Sequence, residues 1–80
     1  MTDLETLKAM FNRAKIPYTE IPAGHWSTEL QEPFDPILDL HALEVERTAE
    51  SPDTVVGYVG FSTTYYFNED GSLRAVGSWE

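Results

Sequence analysis

The run Phe61-Ser62-Thr63-Thr64-Tyr65-Tyr66-Phe67-Asn68-Glu69-Asp70-Gly71-Ser72-Leu73-Arg74-Ala75-Val76-Gly77-Ser78-Trp79 decides the fold. Its first part is rich in β-branched and aromatic residues, which suit a pleated, half-buried surface. Phe61, Tyr65 and Phe67 share one side of that strand. Asp70-Gly71 is a strong short hairpin signal, because glycine adopts the left-handed backbone that a tight reversal needs. Leu73, Ala75, Gly77 and Trp79 then alternate in a returning strand. Upstream, residues 54–67 read as one long strand or two short ones, with Gly57 and Gly60 marking a bulge or a bend.

Working outward, residues 41–47 alternate in the manner of another strand, with Leu43 and Val45 on one side and Glu44 and Glu46 on the other. Residues 48–53 are polar, contain Pro52 and read as a turn. At the other end, residues 2–16 carry a helix signature. Thr2 and Glu5 make a capping box, and Leu4, Leu7, Met10, Phe11 and Ala14 form one apolar stripe. Arg13 and Lys15 suit the negative end of the helix dipole, and Pro17 ends the helix. Residues 17–22 are a short extended segment that the prolines confine to a sheet edge. Residues 23–40 mix Trp26, Leu30, Phe34, Ile37 and Leu38 with Glu29, Glu32, Asp35 and Asp39. They read as a long loop with one helical turn near 27–31, and a loop of that length in a small domain is often functional. The expected architecture is α+β: an N-terminal helix packed on a three- or four-stranded antiparallel sheet, with the other sheet face meeting water.

The 80 residues make one domain, 1–80. A chain of this size has a net stability on the order of 4–12 kcal/mol. Fourteen acidic side chains stand against five basic ones, a formal net charge of −9. That balance excludes direct nucleic-acid binding, which needs cations for phosphates, and an anionic membrane surface. The absence of cysteine removes disulfides, thiol nucleophiles and thiolate metal sites. No apolar run spans a bilayer and the first residues do not form a signal peptide, so a soluble, cytoplasmic protein is expected.

Candidate chemistry is sparse. Asn68-Glu69-Asp70-Gly71 resembles part of a calcium loop, but Tyr66 and Gly77 occupy the first and closing ligand positions, so hairpin chemistry prevails. Gly57-Tyr58-Val59-Gly60 spaces its glycines like a nucleotide clamp without the basic surround such a clamp requires. His25, Asp39 and His41 form the alternative of a small metal-binding or hydrolytic site, with Ser27, Thr28 or the 62–64 hydroxyls as nucleophile. No strained nucleophile turn supports it, and so short a chain has little volume for a water-excluding pocket. The expectation is no enzyme, no metal and no cofactor.

Charge distribution points elsewhere. Between Thr19 and Leu73, Arg47 is the only base among many acids. Such a surface serves solubility or meets a basic partner through complementary potential. Trp26, Phe34 and Trp79 would form an apolar patch ringed by carboxylates, and carboxylates in rows would imitate the phosphates of a duplex. The expected partner-binding residues are Trp26, Glu29, Glu32, Phe34, Asp35, Asp39, Glu44 and Glu46.

Residues 57–80, with their Gly-rich aromatic strand, Asp70-Gly71 turn and closing Val76-Gly77-Ser78-Trp79-Glu80, resemble the ending of small, acidic, uncharacterised bacteriophage and prophage proteins. The opening helix with Ala14-Lys15-Ile16-Pro17-Tyr18 is similar too. The resemblance brings no active-site residues. It implies a phage product in the host cytoplasm that binds and modulates, as an inhibitor, a host or defence protein with a basic surface. The alternative is a phage structural or assembly protein that self-associates, as a homodimer for instance, through a sheet edge or apolar patch.

Overall fold

The computed structural model describes residues 1–48 and 59–79. Their elements follow in the order α1 (Asp3–Arg13), β1 (Thr19–Ile21), α2 (His25–Leu30), β2 (His41–Glu46), β3 (Ser62–Phe67) and β4 (Leu73–Trp79). The strands form one antiparallel sheet, β1-β2-β3-β4, so the α+β architecture read from the sequence is the one observed. Residues 49–58, which hold most of the expected polar turn as well as Gly57, lie outside the described residues, as do the side chain of Trp79 and all of Glu80.

Thr2 caps α1 as its sequence implies: its hydroxyl oxygen accepts the Glu5 amide at 3.1 Å. The far end stops at Arg13 rather than at Ile16. Lys15 adopts a left-handed backbone, φ 58°, its amide reaches the Asn12 carbonyl, and the Ile16 amide reaches the Phe11 carbonyl at 2.8 Å. These two bonds and the joint burial of Ile16 and Phe11 make a Schellman ending, with lysine where glycine is usual.

The helix is fastened to the β3–β4 hairpin at its other end. The Leu4 amide donates to the Gly71 carbonyl at 3.0 Å, and the Leu73 amide donates to the Asp3 carboxylate at 2.8 Å. Gly71 is left-handed, and a Cβ there would lie 2.7 Å from the Thr2 side chain. Both the turn and the close approach of the helix cap therefore require glycine.

Alternation divides the sheet into two faces. On the first, Leu43, Val45 and Phe67 pack with Phe11 and Ile16, flanked by Leu4, Leu7, Tyr18 and Tyr65. The Phe11 ring lies 5.6 Å from that of Tyr18 and 5.8 Å from that of Tyr65, tilted in both cases. On the second face, Ile21, Ala42 and Tyr66 are buried against Ile37, Leu40 and Ala75. The expectation that this second face meets water needs correcting: residues from the 23–40 segment cross it and bury its middle.

Candidate functional site

One carboxylate sets the course of the segment that crosses the second face. Asp39 accepts the amides of Ser27 and Asp35, each at 2.7 Å. Its backbone carbonyl also accepts the Gly24 amide at 2.7 Å, tying the start of the segment to its end. Asp35 in turn accepts the amides of Ile37 and Leu38 at 2.8 and 2.7 Å, an Asx turn that reverses the chain. Between these ties runs α2, entered through left-handed Gly24 and closed by left-handed Gln31. The Asp35 and Ser27 amides hold the Asp39 carboxyl below the ordinary aspartate range, against the opposing effect of burial.

Asp39 therefore does not stand on the partner-facing surface expected of it. It is 2% exposed, and its oxygens are engaged by backbone amides. Asp35 is half-buried with one oxygen committed in the same way. Both shape the site from beneath. The His25–Asp39–His41 combination is not assembled either. Asp39 precedes β2, and His41 Nε2 lies 2.7 Å from Glu20, whose other oxygen accepts Lys8 Nζ at 2.8 Å. Among the described residues, no group of three His, Asp or Glu side chains is arranged to hold a metal ion.

The segment covers the second face only in part, which leaves an apolar groove of about 300 Å³ between α2 and the sheet. Trp26, Leu30 and Leu38 form its walls. Ile21, Thr64 and Tyr66 contribute from the strands, and Glu44 is its one charged lining residue. Glu44 and Thr64 reach the groove from neighbouring strands, directly paired across β2 and β3.

The outer rim is more apolar still. Leu30 and Phe34 are 60% and 59% exposed, and Trp26 and Leu38 are each 42% exposed. Trp26, Leu30, Phe34 and Leu38 also share a second depression that continues the groove over the tip of the segment. Large apolar side chains exposed side by side mark interaction surfaces more often than single exposed leucines do. Glu29, Glu32 and Glu46 are exposed and Glu44 is half-buried. Lys8 and Arg13 belong to α1 and Lys15 follows it, whereas Ile16 to Glu46 contains no lysine or arginine at all.

Of the residues expected to bind a partner, Trp26 and Phe34 stand on one exposed ridge, Glu44 lines the groove, and Glu29, Glu32 and Glu46 are exposed on their elements. Leu30 and Leu38 were not among those expected. Their four-residue spacing with Trp26 and Phe34 was present in the sequence, but nothing there showed that the series faces outward. The side chain of Trp79, the third ring expected in this patch, is outside the described residues.

Among the described residues, no helix is long and apolar enough to cross a membrane. Compared with known proteins, the chain matches no family model, no curated protein and no solved structure.

Proposed function

We propose that the protein is a non-catalytic binding module that docks a protein partner on the 26–38 ridge and is steered to it by the surrounding carboxylates. The carrying observation is that Trp26, Leu30, Phe34 and Leu38 are all substantially exposed on a segment without a single basic residue. Apolar anchors supply most of the binding energy at protein interfaces, while a charged border governs encounter rate and partner choice. The partner accordingly presents apolar anchors within a basic surround. Imitation of a duplex is less favoured, because the centre of this surface is apolar and a mimic needs carboxylates across it. The resemblance of the C-terminal hairpin to small phage proteins supports a host or defence protein as the partner, and inhibition as the consequence of docking.

Affinity capture from bacterial lysate at about 50 and 500 mM salt tests this, because exposed charges are screened at the higher value. Captured proteins are identified and re-measured in purified form against the wild type and Leu30→Asp. A discrete partner should be held by the wild type, held less at high salt, and lost by Leu30→Asp with the Tm unchanged to within about 3 °C. Failure to retain any partner that responds to Leu30→Asp would refute the proposal.

One feature of the sheet favours a second function, self-assembly. Among the described residues β4 is an edge strand, and its Leu73 and Val76 are exposed. Open edges of this kind pair with further strands. A mass in sedimentation that stays monomeric across a hundred-fold concentration range, on the order of micromolar to 100 µM, would remove this alternative.

A further inference from the structure

Glu44 is the one charged member of the groove. It is half-buried, and apart from the hydroxyls of Thr64 and Tyr66 the other lining side chains are apolar. Among the described residues, no hydrogen bond or ion pair engages its carboxylate. An unpaired carboxylate at the edge of an apolar groove offers an incoming cation a partner that no side chain of the described residues already occupies. The walls beside it suit a different chemistry. Trp26, Leu30 and Leu38 offer an aromatic face and two branched aliphatic chains, and about 300 Å³ is the lower end of the range for small-molecule pockets. That space holds one bulky side chain rather than a helix.

We propose that this groove receives a bulky apolar side chain of the partner with a cationic group beside it, the apolar part between Trp26, Leu30 and Leu38 and the cation on Glu44. The inference rests on the protein-binding function proposed above and specifies its anchor: a leucine or aromatic residue next to lysine or arginine. A second copy of this chain is a poor occupant. Its net charge of −9 opposes self-docking, and its own groove faces carry the same carboxylates.

Three probes of one shape and different charge test the chemistry without a protein partner: 4-phenylbutylamine as its ammonium ion, 4-phenylbutanol and 4-phenylbutyrate. Each is titrated into the full chain and followed by the backbone amide resonances of Leu30, Thr64 and Tyr66. The ammonium ion should bind saturably, about five- to ten-fold more tightly than the alcohol, with the carboxylate weakest. Glu44→Gln should bring the ammonium and alcohol affinities together while leaving the alcohol's unchanged, and Trp26→Ala should weaken both. In the wild type, high salt should also shrink the ammonium preference, an arm that needs no variant to fold. The proposal is overturned by any of three results: no saturable shift with the ammonium ion, equal affinity for ammonium and alcohol, or a preference that survives Glu44→Gln. Concentration-dependent shifts of the same amides without a probe would show a second copy in the groove and overturn it too. Loss of the charge preference would leave docking on the ridge intact, whereas failure to find a partner protein would leave the pocket's preference measurable.

Discussion

The two faces of the sheet are covered by different means, and the difference separates stability from recognition. The first is covered by an eleven-residue helix whose apolar stripe fits it, and Phe11, Ile16, Leu43, Val45 and Phe67 close into a cluster. The helix is held at one end by the Leu4 amide on Gly71 and the Asp3 carboxylate on Leu73, and at the other through its Schellman ending. The second face is crossed by a segment with a six-residue helix and several turns, held by the carboxylates of Asp35 and Asp39 rather than by a continuous stripe. A helix that short has no room for a full apolar face. No side chain of α2 is buried: Ile37 and Leu40, later in the segment, pack on the sheet, while Trp26, Leu30, Phe34 and Leu38 stay exposed as the ridge. Hydrogen bonds to one buried carboxylate can hold a surface of this kind in place without burying it.

The largest expected effect belongs to the first face. Phe11→Ala should cost about 3–5 kcal/mol in urea unfolding, most of the stability of so small a chain. Trp26→Ala should cost no more than about 1 kcal/mol. Equal losses would mean that the second face is core and that the contrast is false.

Asp39→Asn comes next. An amide retains one acceptor oxygen and sets its NH₂ against an amide donor, so either Ser27 or Asp35 loses its partner. The Tm should fall by about 5–15 °C, with Trp26 fluorescence shifting to the red as the ridge loosens. Because the folded carboxyl titrates below its ordinary value of 3.8, this support is present above that value and is lost as pH falls through the lower, folded value. The ridge should therefore loosen in acid before α1 does. Loss of α1 helicity at the same pH as the Trp26 change would contradict that order.

The smallest effect is expected at Glu20, between Lys8 and His41. The Lys8 hydrogen bond is the main cause that lowers its carboxyl, followed by the His41 bond, and Lys8 is raised in return. Stabilisation from Glu20 is present above about pH 4.5 and lost as pH falls through its folded value; that from Lys8 is present below 10.5 and lost as pH rises through its own. The pair is solvated, with side chains 35% and 38% exposed. Glu20→Gln should therefore lower the Tm by only about 1–4 °C at neutral pH and flatten its fall between roughly pH 6 and 3. A drop as large as that of Asp39→Asn would show that the first face depends on its carboxylates as heavily as the second.

The first face was legible because each of its signals is local. Thr2 with Glu5, the stripe from Leu4 to Phe11, and Asp70-Gly71 are patterns that short peptides share. Two details were misjudged: Met10 and Ala14, counted in the stripe, are exposed, and the left-handed turn at Lys15 ends the helix before the limit set by Pro17, so that Ile16 can pack on Phe11. The second face rests on non-local facts. Asp39 meets an amide twelve residues away, and in sequence it is indistinguishable from the surface acids Glu29 and Glu32. The expected turn near 27–31 lies close to the observed α2, but nothing short-range says that Leu30 points to solvent and Ile37 to Tyr66. The groove exists only once strand pairing sets Glu44 beside Thr64 and the 23–40 segment brings Trp26, Leu30 and Leu38 over them.

Site-specific photocrosslinking in a bacterial host compares the two faces most directly. A photoreactive residue placed at Leu30 or Phe34 on the ridge, and separately at Met10 on α1, reports what each surface touches. All three are well exposed and outside the buried clusters, so each variant should fold. One discrete protein adduct common to positions 30 and 34, and missing at position 10, is the predicted result. Adducts of equal yield at all three positions, or at position 10 alone, would contradict a recognition surface on the second face.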